Sequence, residues 1–386
     1  MKLATVFSGI GAPEWAFKRL GIPYESLLAC DNGEAVVSYD LKQEKETISK
    51  MASFAEVQKY VTDLYVKKAR RNKHNYVQDS YLANYPDFDE HRYFQDAKLL
   101  PGSFFKDQVD LFVGGSPCQS FSVVGAQEGF GDDRGNLFFE YLRLVKEIRP
   151  KVFIYENVNG LREPGNKDVW STMTKAFSDS GYAIAMKEPL NAKDYGIPQI
   201  RNRIFVIGFL DPKYKEAFKK PAPIALPYKM QDFLISSTED GGMTFDPKTG
   251  ALLFSKKPGV VGDSFNLTPL VSKYVLAPGT KNWKTHIETD RPIARTLLST
   301  MGNHHRAGVD NYVRFEYDHT VPIRALTTRE VLRLMGFTDD FKIAVPKPQV
   351  YKQAGNSMVV DVIMALLKAI IATGVFEPEI KASIVQ

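Results

Sequence analysis

A chain of 386 residues exceeds what one compact core usually holds, so two domains are expected. Hydrophobic residues make up 44% and charged residues 25%, as in ordinary globular proteins; two cysteines exclude a disulfide framework and point to a reducing, intracellular compartment. The net charge of +5 permits a polyanionic partner without requiring one, and neither a signal peptide nor a membrane span is expected, since the longest apolar stretch, Val359 to Ile371, is broken by Asp361 and Lys368.

Lys2 to Phe7 predicts a strand, Ser8 to Pro13 a turn, and Glu14 to Leu20 a helix stopped by Gly21. Tyr24 to Ala29 predicts a second strand, ending at Cys30-Asp31-Asn32. Residues from about 42 to 78 are helical in pattern and carry the basic run Lys67, Lys68, Arg70, Arg71, Lys73; they read as a solvated helical hairpin. A strand-and-turn signal follows at Tyr93-Phe94-Gln95-Asp96. Val109 to Val113 predicts a strand that runs into Gly114-Gly115-Ser116-Pro117-Cys118, which displays a cysteine just past a strand's carboxyl end. Asn136 to Arg149 predicts a helix ended by Pro150, and Lys151 to Tyr155 a strand that delivers Glu156-Asn157-Val158. A helix over 168–180 and strands over 182–188 and 203–209 follow. This alternation predicts a doubly wound, mostly parallel α/β sheet, whose carboxyl edge is where such folds bind ligands. From Asp211 to about Asp290, Pro, Gly and scattered Lys replace the alternation, which reads as a smaller irregular domain. Thr328 to Met335 and Ser357 to Ala372 predict the last helices.

The first turn is informative about cofactors. Gly9 and Gly11 let the backbone approach a ligand closely. Glu14 stands where a dinucleotide fingerprint has its third glycine, and its charge would repel a pyrophosphate. That disfavours NAD, and with it a nicotinamide oxidoreductase. It favours a cofactor without phosphates, such as the cationic S-adenosylmethionine. Asp31 lies at the usual distance for a carboxylate on ribose hydroxyls, and Asp96 is placed to accept from an adenine amino group. Each feature also has a plain structural reading, as a tight turn or a helix N-cap. No histidine spacing suits zinc together with the two cysteines, so no metal is expected.

Taken in order, the strand ends resemble the DNA cytosine-5 methyltransferase family. The matching elements are Phe7-Ser8-Gly9-Ile10-Gly11, Pro117-Cys118-Gln119-Ser120-Phe121-Ser122, Arg134-Gly135-Asn136-Leu137-Phe138, Glu156-Asn157-Val158, Gln199-x-Arg201-x-Arg203 and Gln353-Ala354-Gly355-Asn356-Ser357. Arg291 to Leu297 and Arg324 to Glu330 resemble further family segments, so only residues ~42–78 and ~211–290 lie outside the resemblance.

The resemblance implies a Rossmann-like S-adenosylmethionine-dependent methyltransferase fold. Its catalytic domain would cover 1–210, with an insertion at about 42–78. A target-recognition domain would cover 211–320, and 321–386 would return to the catalytic domain. The resemblance makes Cys118 the nucleophile toward carbon 6 of a cytosine. Glu156 becomes the partner of ring nitrogen 3, Arg203 the contact to ring oxygen 2, and Arg201 its neighbour at the same site. Cofactor contacts fall to Phe7, Gly9, Ile10, Gly11, Asp31, Asn32, Asp96, Ala97, Pro117, Leu137, Asn356 and Ser357. Two positions depart from the family pattern: Asn32 stands where many members carry an aromatic that stacks on adenine, and Ala12 replaces a frequent glycine. The implied substrate is double-stranded DNA, with the target base flipped out beneath a loop from Ser120 to Arg134. Also implied are a monomer on DNA, the cytoplasm of a prokaryotic or phage-infected cell, and, in a restriction–modification system, a cognate endonuclease. Two rivals remain: tRNA as substrate, and a catalytically silent DNA-binding homologue. The recognition-sized segment favours DNA, and intact Cys118, Glu156 and Arg203 disfavour the silent homologue.

Overall fold

From the N-terminus, the computed structural model runs β1 (Lys2–Val6), α1 (Ala12–Leu20), β2 (Glu25–Cys30), β3 (Val36–Val37), α2 (Leu41–Ile48), α3 (Phe54–Lys68), β4 (Ala69–Arg71), α4 (Tyr76–Asn84), β5 (Tyr93–Phe94), β6 (Leu111–Gly114), α5 (Leu137–Ile148), β7 (Val152–Val158), α6 (Lys167–Ser178), β8 (Ala183–Asn191) and β9 (Asn202–Phe209). Then come α7 (Lys213–Ala217), β10 (Asp240–Phe245), β11 (Leu252–Lys257), α8 (Pro269–Val275), β12 (Tyr312–Val313), β13 (Arg324–Ala325), α9 (Thr328–Arg333), α10 (Lys347–Asn356) and α11 (Val360–Ala372). Residues 1–71, 74–117, 137–235, 240–257, 261–280, 284–314 and 323–376 are described.

One seven-stranded sheet has the order β5-β2-β1-β6-β7-β9-β8. Pairing is parallel from β5 across to β7. The expected mostly parallel, doubly wound α/β sheet is therefore present, with one antiparallel strand, β9, between β7 and β8. The connection from β8 to β9 is too short for a helical crossover, so β9 must run back along its neighbours. The chain winds from β1 outward to β5, then crosses to β6 on the far side of β1. That reversal opens a crevice at the carboxyl ends of β1 and β6.

Side chains alternate between two buried layers, as the period of a strand requires. Leu3, Leu111, Val113, Val152, Ile154, Phe205 and Ile207 join a core roofed by α1, α9, α10 and α11. Ala4, Val6, Phe112, Phe153, Tyr155, Ile204 and Val206 join a second core roofed by α3, α5 and α6. The apolar run that ends the chain is one of these roofs. Most of α11 is buried, and Arg19 of α1 ion-pairs with its Asp361 at 2.7 Å.

Two expectations need correction. The segment at 42–78 is not a solvated hairpin. Val57, Val61, Leu64 and Tyr65 recur at helical spacing along α3 and bury its inner stripe in the second core. Lys67, Arg70 and Arg71 stay on the exposed side. Likewise, Asn356 and Ser357 do not open the last helix. Asn356 ends α10, a helix the sequence reading missed, and Ser357 is its C-cap. Prolines at its start and Gly355 near its end had disguised α10 as a loop.

Beyond β9 the pieces are short. Met230, Phe233, Met243 and Leu252 pack into the first core, whereas Leu267, Val275, Ala307, Tyr312 and Ile323 form a small cluster of their own.

Candidate active site at the carboxyl edge of the sheet

The turn after β1 adopts left-handed backbone at Phe7 (φ 54°), Gly9 (φ 54°) and Gly11 (φ 79°). A phenylalanine there is strained, a common mark of a site. A methyl group on Gly11 would stand 2.4 Å from the Tyr85 ring, whose hydroxyl donates to the carbonyls of Ile10 and Gly11. A methyl on Gly9 would meet nothing within 4 Å. The turn is thus packed behind Gly11 and open in front of Gly9. Glu14 does not face the open side. It is fully buried and accepts from Thr5 Oγ1 at 3.0 Å and Tyr81 Oη at 2.8 Å. Burial pushes its carboxyl up to about 7. The expected like-charge clash with a pyrophosphate is therefore not what Glu14 contributes.

Asp31 closes this turn. Its two oxygens accept from the backbone N–H groups of Gly9, at 3.0 Å, and Gly33, at 2.9 Å. Burial raises its pKa, and those two amide bonds oppose the rise. Asp31 N–H donates to Phe94 O, which brings the end of β5 alongside. Two residues on, Asp96 is buried; its Oδ1 accepts from Lys98 N–H, and its Oδ2 accepts from the hydroxyls of both Tyr39 and Tyr65. The neighbouring Ala97 carbonyl accepts from Arg143. Asn32 is half-buried, its carbonyl oxygen taken by Glu34 N–H.

The turn after β6 leads to Pro117, which is exposed. Cys118 lies outside the described residues, as does the loop from Ser120 to Arg134. The approach to Cys118 is described. Asn157 donates to Ser116 O at 3.0 Å, while Ser116 Oγ bonds Tyr155 Oη at 2.7 Å. A methyl group on Gly115 would fall 2.9 Å from Glu156 Oε2. Only a glycine lets the cysteine turn lie directly on that carboxyl.

Glu156 lies near the end of β7 and ion-pairs with Arg203 Nε at 3.3 Å. Val158 of β7 is paired with Arg203, so the antiparallel run of β9 places its first residues at the carboxyl edge. Burial raises the Glu156 pKa, and the charges of Arg203 and Arg201 pull it back. Glu156, Leu190, Arg201, Arg203, Phe205, Val359 and Val362 line one small cavity.

Arg201 has a different posture. It is buried and donates to Leu297 O, Gly355 O and Ser357 O at 2.8 to 3.0 Å. It clasps three turns together, so its expected place among substrate-contacting groups is replaced by a bracing one. Gln199 acts similarly: its side chain joins Leu297 N–H to Leu334 O.

The family model for C-5 cytosine-specific DNA methylases matches residues 1–372. The chain belongs to that family. This methylase is 31% identical over 304 residues to type II methyltransferase M.HhaI of Haemophilus parahaemolyticus, covering 78% of this chain and 86% of that one. It is 33% identical over 293 residues to type II methyltransferase M.PspPI of Psychrobacter, covering 72% and 67%. Its fold is similar to S. pombe Dnmt2 methyltransferase (TM-score 0.61, 15% identity, 96% and 98% covered) and to the Entamoeba histolytica methyltransferase EhMeth (TM-score 0.61, 15% identity, 96% and 98% covered). The methylase is thus a DNA (cytosine-5-)-methyltransferase, and its chemistry requires a methyl donor.

Within the methylase, α10 closes the site from the far end. Lys352 pairs with Glu34, and Asn356 Nδ2 donates to the same carboxylate. Gln353 takes the Ser80 hydroxyl and donates to Tyr76 O, both on α4. A methyl on Gly355 would collide with Ser299 N at 2.2 Å. Ser357 is buried under Arg201, and Leu137 opens α5. The sequence motifs contain Asn157, Gly115 and Gln199 but assign them no role, and no motif contains Tyr39 or Tyr65. A carboxamide that carries no charge, or an aromatic in an insertion, leaves no local signal of this kind.

Proposed function

We propose that this methylase transfers a methyl group from S-adenosylmethionine to carbon 5 of a cytosine flipped out of duplex DNA, through a covalent adduct on Cys118. The observation that carries this reading is the Glu156–Arg203 pair lying against Gly115, beneath the turn that leads to Cys118. The Cys118 thiolate adds to carbon 6, and the displaced electron pair moves toward ring nitrogen 3. Glu156, its proton held to higher pH by burial, donates a hydrogen bond there, while Arg203 meets ring oxygen 2. Carbon 5, now nucleophilic, takes the methyl group; its proton then leaves and the thiolate is expelled. The cofactor supplies an electrophilic methyl on a sulfonium.

The open front of Gly9, flanked by the carboxyls of Asp31 and Asp96, fits a cationic adenosyl cofactor. In our reading Asp31 meets the ribose and Asp96 the adenine amino group. Phe7, Ile10, Gly11, Asn32, Ala97, Pro117, Leu137, Asn356 and Ser357 wall the rest. In the same reading residues 211–320 are the target-recognition domain between the catalytic parts 1–210 and 321–386; Leu267, Val275, Ala307 and Tyr312 of this segment cluster with Ile323, while Met230, Phe233, Met243 and Leu252 pack into the first core. We further infer a monomer on DNA in the cytoplasm of a bacterial or phage-infected cell. Its curated relatives include type II and orphan methyltransferases, so a cognate endonuclease is an open partner.

The test uses the whole chain, a methyl-labelled cofactor, and duplex DNA carrying 5-fluorocytosine. A covalent complex that forms with the native chain and disappears in Cys118→Ser is expected. A complex that survives the substitution rejects the nucleophile, and label entering tRNA but not DNA rejects the substrate. Bisulfite sequencing of DNA from expressing cells reads the recognition sequence.

A further inference from the structure

The donors that hold Asp96 come from the segment inserted between β2 and β5. Phe54 opens α3 against Phe94 and Phe105, with ring centroids 5.8 Å and 5.0 Å apart, and Gln58 Nε2 donates to Tyr93 O. These contacts anchor α3 on the strand that delivers Asp96. Lys68 and Tyr60 then tie α3 to Glu44 of α2. Tyr65, buried on the inner stripe, reaches Asp96 Oδ2 at 2.8 Å, and Tyr39, half-buried just before α2, donates to the same oxygen. Burial and the charge of Asp96 push the Tyr65 phenol up, so its hydroxyl keeps the proton and can only donate to the carboxylate.

A carboxylate offers about four acceptor positions. Two on Oδ2 are filled by tyrosines, and one on Oδ1 by Lys98 N–H. Among the described residues, one position is left, on Oδ1. Donors gripping one oxygen from two elements fix both the plane and the rotation of the group.

We propose that Tyr39 and Tyr65 are positioning residues for cofactor recognition: they lock Asp96 so that the remaining acceptor position of Oδ1 meets the exocyclic amino group of the adenine. The inserted helices thereby become a wall of the cofactor pocket, on the side where Asn32 offers no aromatic face. This rests on the reading of Asp96 as the adenine partner. A fixed acceptor discriminates sharply between a 6-amino and a 6-oxo purine, because the oxo group would leave two acceptors facing each other. A carboxylate free to turn could admit water and tolerate both.

The test is calorimetric binding of S-adenosylhomocysteine and of its inosine counterpart to the full chain. Tyr65→Phe and Tyr39→Phe each remove a hydroxyl and keep the ring. Each is expected to weaken the adenosine ligand by about fivefold to tenfold, the scale of one charge-assisted hydrogen bond, and to narrow the adenine-over-hypoxanthine preference by the same factor. In an Asp96→Asn background neither should have any further effect. A tyrosine variant that lowers the melting temperature but keeps the preference overturns the proposal, as does one that loses as much in Asp96→Asn as alone. Half-buried Tyr39 keeps the test open should Tyr65→Phe fail to fold. If Asp96→Asn itself leaves the preference intact, the reading of Asp96 fails, and this inference falls with it.

Discussion

The carboxyl edge of the sheet has two halves that are built differently. In the half made by β1, β2 and β5, the acidic groups are already satisfied inside the protein: Asp31 by two backbone amides, Asp96 by two tyrosines and an amide. In the half made by β6, β7 and β9, Glu156 and Arg203 are half-buried and pair at 3.3 Å in the wall of a small cavity. In the first half the carboxyls are held in fixed positions by their partners. The second stores a charge pair in a low-dielectric wall, where bringing in a polar ring changes its energetics most. On the proposed function, binding and chemistry are separated along one edge, and Arg201 grips three carbonyls behind the Glu156–Arg203 half.

The sharpest way to break this comparison is Glu156→Gln. It should lower kcat by roughly 10² to 10⁴, the range for a lost general acid, while the calorimetric affinity for S-adenosylhomocysteine stays put. An equal loss in cofactor affinity would show that the halves are not separate. Next in size is Arg201→Met, which orphans three buried carbonyl groups. Unfolding in urea should show a loss of about 3 kcal/mol. A variant of full stability with only kcat reduced would return Arg201 to the substrate-contacting set.

Glu14 tests whether the first half is rigid because its polar groups are sealed in. Its folded carboxyl, near 7 against 4.5 unfolded, holds a proton more tightly than the unfolded chain does. The linked stability is fully present below about 4.5 and lost as pH rises through about 7, amounting to about 3 kcal/mol. Glu14→Gln should flatten that part of the pH–stability curve, and a curve that keeps its slope would place the titration elsewhere. The smallest expected effect is Asp31→Asn, which keeps one acceptor and loses the other. Cofactor affinity should drop about tenfold, with the DNA dissociation constant unmoved.

The proposed site is built from residue types that stand out near strand ends. The Gly9–Gly11 turn, Asp31 and Asp96 lie just past strand ends, and Glu156 and Arg203 lie in the last residues of β7 and the first of β9, all bracketed well by hydrophobic periodicity. The order of motifs along the chain carries the family resemblance. What escaped was relational. The side chains of Arg201 and Arg203 look alike in sequence, two residues apart on either side of the first residue of β9; one turns to backbone carbonyls and the other to a carboxylate. The insertion looked like a solvated hairpin because its exposed cations dominate the reading, while a stripe of Val57, Val61, Leu64 and Tyr65 decides where it lies.

By itself, the sequence determined the alternation of strands and helices, the positions of the turns, and which turn carries each reactive group. Those follow from local periodicity and from the few residues a turn tolerates. The tertiary structure decided that β9 runs backward, which pairs Arg203 with Val158 and brings its side chain to Glu156, and that α3 docks on β5, which hands Asp96 to Tyr39 and Tyr65. Both depend on contacts between residues far apart in the chain. No local pattern encodes them, because their energy exists only once the sheet has formed.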